Sequence, residues 1–147
     1  VYRSSFGLPA SMQDNAPYTL EAWILNPSID VNECVADFTT SHDELEKIML
    51  VNGTEPRCGV INQYGWYEDV GHKEMKSLEN KWQHIYICFD GRYEWVYIND
   101  QLISKKDIQL LIKPSQFITL GLNAEQNWPF TGYLHSLKLW DEYIPKQ

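Results

Sequence analysis

The sequence predicts an all-β fold, an antiparallel sandwich or barrel. Short segments with alternating apolar and polar residues recur about every ten residues, with Gly, Asn, Asp or Pro between them. No segment has the periodicity of a convincing amphipathic helix. A chain of 147 residues is long enough to form one domain with its own hydrophobic core.

The clearest local pattern lies in residues 82–103, which predict three short strands joined by two tight turns. Ile85 and Ile87 alternate with more polar neighbours, as in a strand with one buried face. Asp90-Gly91 is a strong hairpin dipeptide, and Asn99-Asp100 is a weaker turn signal. We therefore expect an antiparallel meander that serves as scaffold, with any binding site in the loops on either side of it.

The rest of the chain predicts further short strands that end at turn residues. They lie at residues 18–25, 35–40, 46–51, 57–64, 108–112, 116–122 and 132–140. Between them we expect mixed structure at 1–16, an irregular stretch at 65–81 with a short helical turn near 74–78, and a turn at 105–107.

Four motifs along the chain resemble strands of laminin-G-like, concanavalin A-like jelly-roll domains. They are YTLEAWI at 18–24, WQHI at 82–85, VYINDQLI at 96–103 and ITLG at 118–121 followed by FTGYLHSLKLW at 130–140. The resemblance runs from about residue 18 to the end of the chain. It implies a jelly-roll sandwich of two antiparallel sheets, as a single domain over residues 1–147 that is a module of a larger protein.

The resembled fold serves lectins, glycan-binding modules, adhesion domains and some glycosidases. The leading hypothesis is a non-catalytic carbohydrate-binding module of a secreted or cell-surface protein, whose partner is a glycan or polysaccharide. A protein-interaction or adhesion domain is one alternative. A structural spacer packed on a neighbouring catalytic domain of the same polypeptide is another.

The candidate carbohydrate-binding residues are aromatic, amide and acidic residues of two stretches, 63–69 and 123–129, in which large rings stand among Gly, Asn, Gln and acids. They are Tyr64, Trp66, Tyr67, Asp69, Asn127 and Trp128. An exposed ring can cover the apolar face of a pyranose while amide and carboxylate groups bond its hydroxyls. The same rings could instead cap the open ends of the sandwich, and the sequence leaves both alternatives open.

Four other tryptophans fall within the strand motifs, and packing in the core is the expectation for most of them. They are Trp23, Trp82, Trp95 and Trp140. His84 is expected to be structural and hydrogen-bonded at a sheet edge.

No catalytic constellation is visible in the sequence. There is no E-x-D-x-x-E run of the kind that places two carboxylates about 5 Å apart in a retaining glucanase, and Glu68-Asp69 with Glu74 has the wrong spacing. Nucleophile-elbow, zinc-helix and phosphate-loop motifs are absent from the sequence as well. We therefore expect a domain that is not an enzyme.

No cofactor is expected either, because the four His are scattered without the spacing of zinc ligands. Calcium is the one alternative, at acidic loops. The groups considered are Asp30, Asn32 and Glu33, and Asp43 with Glu44. One loop rarely supplies the six or more oxygens that calcium takes, so a solvated acidic loop is favoured over a metal site.

The net charge excludes some classes of partner, and the cysteines raise the question of a disulfide. A net charge of −8 argues against a surface for nucleic acid or for anionic membranes. No apolar run is long enough to span a membrane, and no signal peptide is visible in the sequence; the chain opens abruptly with Val1-Tyr2-Arg3, as a module excised from a longer protein would. Of three cysteines, Cys88 is expected to be a buried small apolar residue, whereas Cys34 and Cys58 could pair in an exported domain.

Overall fold

The computed structural model describes residues 4–7, 10–12, 16–27, 33–37, 48–52, 60–64, 68–72, 79–107, 117–121 and 128–147. Within these residues the chain forms eleven strands and one short 3-10 helix, Ala10–Met12. The strands are β1 Ser4–Gly7, β2 Tyr18–Leu25, β3 Glu33–Asp37, β4 Ile48–Asn52, β5 Val60–Tyr64, β6 Glu68–His72, β7 Trp82–Phe89, β8 Tyr93–Ile98, β9 Gln101–Asp107, β10 Phe117–Leu120 and β11 Tyr133–Trp140. The described part contains no helix long and apolar enough to cross a membrane.

The strands form two sheets in which every neighbouring pair is antiparallel. The six-stranded sheet has the order β1-β10-β3-β4-β5-β6, and the five-stranded sheet has the order β11-β2-β7-β8-β9. Both orders mix strands that are distant in sequence, as in a jelly roll rather than a simple meander. The prediction of an all-β sandwich of two antiparallel sheets is confirmed.

The core described by the structure lies between the two sheets, and on β2 and β8 it is built from alternate residues of the strand. On β2 the core residues include Leu20, Ala22 and Ile24, so Glu21 and Trp23 between them point to the outer face of the five-stranded sheet. The other buried core residues are Tyr18, Val35, Ala36, Ile85, Ile87, Phe89, Val96, Ile98 and Phe130. Burying each large apolar side chain contributes about 1.5–3 kcal/mol of transfer free energy.

The predicted meander is present as β7, β8 and β9. Gly91 has a φ of 103°, and the Asp90 carboxylate accepts the backbone N–H groups of Arg92 and Tyr93. Asn99 and Asp100 both have positive φ, 51° and 67°, as a tight hairpin turn requires. Asn and Asp tolerate this left-handed conformation better than other non-glycine residues, which explains why the weaker signal also marks a turn.

Two predictions of local structure are wrong. Residues 105–107 do not form a turn, because β9 continues through them and Lys105 lies over the rings of Tyr93 and Trp95 on β8. Strand β6 lies inside the stretch predicted to be irregular, and it pairs in register with β5. In both cases a neighbouring strand or ring, rather than the local apolar pattern, completes the strand. The N-terminal stretch is mixed, as predicted, since it holds the short 3-10 helix and strand β1, which pairs with β10.

Some predicted elements cannot be compared. The helical turn near residues 74–78 and the strand at 108–112 lie outside the described residues. Cys34 and Cys88 are buried, and neither takes part in a disulfide within the described part of the chain; Cys58 lies outside it. The burial of Cys88 agrees with its prediction.

A buried carboxylate joins β3 to the start of β11. Glu33 accepts a hydrogen bond from the Asn26 side chain at 2.7 Å and one from the Thr131 hydroxyl at 2.6 Å. The backbone N–H of Thr131 also points to Glu33, at 3.3 Å. These contacts fix the entry of the chain into β11, which is one wall of the site described next.

Candidate functional site

A groove lies on the outer face of the five-stranded sheet, where β11, β2 and β7 run side by side. It encloses about 720 Å³. The residues that line this outer-face groove are Glu21, Trp23, Trp82, His135, Ser136 and Lys138. They include two large rings, two charged groups, an imidazole and a hydroxyl.

Strand register brings these side chains together. Trp23 lies opposite His84 on β7 and opposite Ser136 on β11, and Glu21 lies opposite Lys138. Because facing residues of antiparallel strands project from the same side of the sheet, the outward residues of three strands share one surface.

An irregularity in β11 adds one more side chain to the groove. The pairing with β2 shifts between Leu134 and Ser136, as in a β-bulge. Leu134 and Leu137 both pack against the core, whereas the two residues between them, His135 and Ser136, both line the groove. A regular strand would send one of these two residues inward.

Both tryptophans of the groove are exposed, and each rests against a histidine. Trp23 is 39% exposed and its ring centroid lies 4.7 Å from that of His84. Trp82 is 47% exposed and meets the His135 ring edge-to-face, with 6.1 Å between centroids. The histidine contacts limit ring motion while leaving apolar surface open to solvent.

His84 is held by groups on three sides. Its Nε2 lies 3.0 Å from a Glu21 carboxylate oxygen, and its Nδ1 lies 3.7 Å from Asp100. Its backbone N–H donates to the Asn99 side chain, and its carbonyl accepts the Asn99 N–H. Lys146 donates to Asp100 at 2.9 Å and lowers the pKa of that carboxyl. His84 is therefore structural, as predicted. It lies on β7, which is an inner strand between β2 and β8, and not at a sheet edge.

The C-terminal segment, residues 141–147, covers much of the remaining outer face. The Thr19 hydroxyl donates to the Glu142 carbonyl and accepts the Ile144 N–H, while the Tyr86 hydroxyl donates to the Ile144 carbonyl. Tyr143 packs on Trp95, with 5.4 Å between centroids. The groove is a part of this face, on β11, β2 and the start of β7, that the C-terminal segment leaves open.

This cover changes the acidity of the groups beneath and within it. Burial raises the pKa of the Cys88 thiol to about 11, although a backbone hydrogen bond with Lys146 acts in the opposite direction. Burial also raises the pKa values of Tyr86 and Tyr143. These groups are protonated and neutral near neutral pH, so the covered part of the face carries no ionised thiol or phenol.

None of the sequence-predicted site residues that the structure describes is among those that line this groove. Trp66, Tyr67 and Asn127 lie outside the described residues. Tyr64 and Asp69 belong to β5 and β6, adjacent strands of the other sheet.

Trp128 is half-buried in a backbone conformation with φ of 55°. Its carbonyl accepts the backbone N–H of Cys34 at 2.7 Å, which ties this segment to β3. The described residues thus give Trp128 a structural contact, and its place in a sugar site stays a prediction.

The expectation that the strand tryptophans pack in the core is wrong for Trp23 and Trp82, which are exposed. Trp95 and Trp140 are half-buried on the outer face. The alternation of β2 could have shown this, because Trp23 has the same parity as Glu21 and the opposite parity to Ala22 and Ile24. The meander is also more than scaffold, since Trp82 at its first position lines the groove.

The calcium alternative finds little support among the described residues. Glu33 directs its carboxylate to Asn26 and Thr131, and the described part contains no cluster of three or more His, Cys, Asp or Glu that could hold a metal ion. The other candidate ligands, Asp30, Asn32, Asp43 and Glu44, lie outside the described residues.

Comparison with known proteins gives a match to one family over nearly the whole chain. A laminin-G-type family model of the concanavalin A-like lectin/glucanases superfamily matches residues 4–146. Among curated proteins, none matches this sequence.

Several solved structures share the fold. Domain 4 of AbnA, a GH43 extracellular arabinanase from Geobacillus stearothermophilus solved in complex with arabinotriose, aligns with a TM-score of 0.72 and 19% identity over 96% of this chain and 68% of that chain. The binding domain of botulinum neurotoxin serotype D aligns with a TM-score of 0.68 and 14% identity over 97% of this chain.

A structure of botulinum neurotoxin type C aligns with a TM-score of 0.70 and 12% identity over 97% of this chain. Cell entry of that toxin depends on its interaction with two ganglioside molecules. This chain spans 37% of each of the two neurotoxin chains. At these identities the likeness shows the fold.

Proposed function

Because the chain belongs to the concanavalin A-like lectin/glucanases superfamily, we propose that it is a non-catalytic carbohydrate-binding module. The observation that carries the proposal is the outer-face groove, in which Trp23 and Trp82 expose ring surface among polar groups. Domain 4 of the arabinanase, which has the same fold, was solved with arabinotriose.

The groove offers both kinds of contact that a sugar needs. Exposed indole surface is costly in water and is relieved when the C–H face of a pyranose or furanose covers it. Ser136, Lys138 and His135 on β11 then present hydrogen-bonding groups to the ring hydroxyls. Two rings of fixed position with polar groups beside them suit a short glycan segment better than an extended protein surface.

The composition of the groove favours binding over hydrolysis. Among the described residues that line it, Glu21 is the one carboxylate. Glycoside hydrolysis ordinarily uses two carboxyl groups, about 5–10 Å apart, as acid and as nucleophile or base. Glu21, a single carboxylate that is already hydrogen-bonded to His84, cannot supply both the acid and the nucleophile or base.

The sequence-predicted residues remain part of the proposal as a second set of candidate binding residues. Tyr64, Trp66, Tyr67, Asp69, Asn127 and Trp128 combine rings with amide and acidic groups. We also propose that the domain is one module of a longer extracellular or cell-surface protein. The extracellular arabinanase that contains a domain of this fold supports that location.

A glycan array with the intact domain and three groups of variants tests the proposal. Trp23→Ala and Trp82→Ala are expected to abolish binding to the glycans that the wild type retains. Leu102→Ala, a change at an exposed apolar residue on β9 at the opposite edge of the sheet, should leave binding unchanged. Circular dichroism would verify that each variant is folded.

Other outcomes would contradict parts of the proposal. Loss of binding in Trp66→Ala and Trp128→Ala, with Trp23→Ala unaffected, would place the site at the sequence-predicted residues. A wild-type domain that retains no glycan would overturn carbohydrate binding and favour a protein-interaction or spacer role.

A further inference from the structure

We propose that the outer-face groove selects a sugar that bears a carboxylate, such as a uronic acid, through Lys138 and His135. The inference rests on the proposed carbohydrate-binding function. The two charged groups that line the groove differ in how accessible they are to a ligand, because Glu21 is engaged by the protein and Lys138 is exposed.

The negative charge of the groove is occupied by the protein itself. The Glu21 side chain is 24% exposed, and one of its oxygens lies 3.0 Å from Nε2 of His84. Its other oxygen faces Lys138 at 3.9 Å. With His84 bound to one oxygen, Glu21 presents little of its carboxylate to a ligand.

The positive charge of the groove is available. Lys138 is 61% exposed, and its 3.9 Å separation from Glu21 is longer than a hydrogen bond. An exposed ion pair of this kind contributes only about 0–1 kcal/mol, so the ammonium group can turn toward a ligand at little cost. A carboxylate brought within hydrogen-bond distance would gain a shorter, charge-assisted bond.

The bulge in β11 places further donors beside this ammonium. His135 and Ser136 both line the groove with Lys138. A neutral imidazole has one N–H to donate, and a serine hydroxyl has one O–H, whereas a carboxylate has only acceptors to offer. The three groups on one strand thus match a carboxylate better than a hydroxymethyl group.

The net charge of −8 acts against dense polyanions but not against this contact. Charges farther away than the Debye length, about 8 Å at physiological ionic strength, are largely screened, whereas a hydrogen-bonded pair is not. We therefore expect recognition of a single acidic sugar rather than affinity that grows with the charge of the polymer.

Isothermal titration of the intact domain with matched ligands tests the inference. The probes are oligosaccharides that contain uronic acid and the same oligosaccharides after carboxyl reduction, which replaces each carboxylate by a hydroxymethyl group. At least one pair is expected to show about tenfold tighter binding of the acidic form. Lys138→Gln should bring that ratio close to one, and Lys105→Gln, at an exposed lysine of edge strand β9, should leave it unchanged.

The outcomes separate the inference from the function on which it rests. Equal binding of both forms, or a preference for the reduced form, overturns acidic-sugar selection while carbohydrate binding stands. A ratio that survives in Lys138→Gln overturns the role of Lys138. Failure to bind either form, together with an empty glycan array, overturns the proposed function itself.

Discussion

The imidazole of His84 lies against the indole of Trp23, with 4.7 Å between ring centroids and 35° between ring planes, and it reaches the Glu21 carboxylate at the same time. One side chain therefore supports an exposed ring and occupies an acidic group of the groove. Both effects arise because Trp23 and His84 are facing residues on adjacent strands, with Glu21 two residues before Trp23 on β2.

Two substitutions of His84 separate these effects. His84→Phe keeps a ring beneath Trp23 but removes the hydrogen bond that occupies the Glu21 carboxylate. The freed carboxylate then repels a negatively charged ligand, so binding of acidic sugars should weaken about fivefold while neutral sugars are little affected. His84→Gln keeps a donor but removes the ring, so all bound glycans should weaken by a similar factor. Titration calorimetry with a glycan pair that the wild type binds measures both. An equal loss of affinity for the acidic and the neutral glycan in His84→Phe would show that the bond from His84 does not shield the Glu21 carboxylate from the ligand.

The fold was predictable because its evidence is local. On β2 and β7 the period-2 pattern specifies which residues face the core, and the turns at Asp90-Gly91 and Asn99-Asp100 are encoded by neighbouring residues. Strand β6 was missed because its pairing with β5, not its own apolar content, makes it a strand.

The candidate site was harder to predict because exposure on the outer face depends on distant parts of the chain. Trp95 and Trp23 both point outward, but Tyr143 of the C-terminal segment packs on Trp95 and leaves Trp23 open. The bulge that adds His135 to the groove depends on how β11 pairs with β2. Neither relation follows from the sequence near the residue concerned.

The Glu33 carboxylate should be important for stability. Glu33→Ala would remove this acceptor from the buried Asn26 amide and from the hydroxyl of the exposed Thr131, at a cost of about 2 kcal/mol. Urea denaturation followed by tryptophan fluorescence measures this change. Asp141→Ala, at an exposed acidic residue, is the control and should change stability by less than about 0.5 kcal/mol. A Glu33→Ala protein as stable as the control would contradict the role assigned to this carboxylate.

Gly132 is a position where any side chain should be harmful. A Cβ atom there would collide with the Leu25 backbone oxygen and would lie 2.8 Å from the Phe130 ring. The Leu25 oxygen belongs to the backbone of β2 and the Phe130 ring packs in the core, so neither can move aside easily. Gly132→Ala should therefore lower the unfolding free energy by about 2 kcal/mol or more.

Gly7 supplies the matched control for that substitution. A Cβ at Gly7 meets no atom within 4 Å, so Gly7→Ala should be neutral or slightly stabilising. Thermal unfolding of the two variants, compared with the wild type, is the measurement. Equal melting temperatures for Gly132→Ala and Gly7→Ala would show that the turn before β11 can move to accept a side chain.

The groups beneath the C-terminal segment should make the fold sensitive to alkaline pH. Burial raises the pKa of Cys88 from 9.0 to about 11, and the pKa values of Tyr86 and Tyr143 shift in the same direction. The unfolded chain therefore loses these protons at lower pH than the folded chain. Stability from this source is complete below pH 9 and is lost as the pH rises toward 11. Urea midpoints measured between pH 8 and 11 should fall steadily, and Cys88→Ala should fall less steeply than the wild type. A midpoint that is independent of pH over this range, or equal slopes in both proteins, would contradict burial of a protonated Cys88 thiol under this segment.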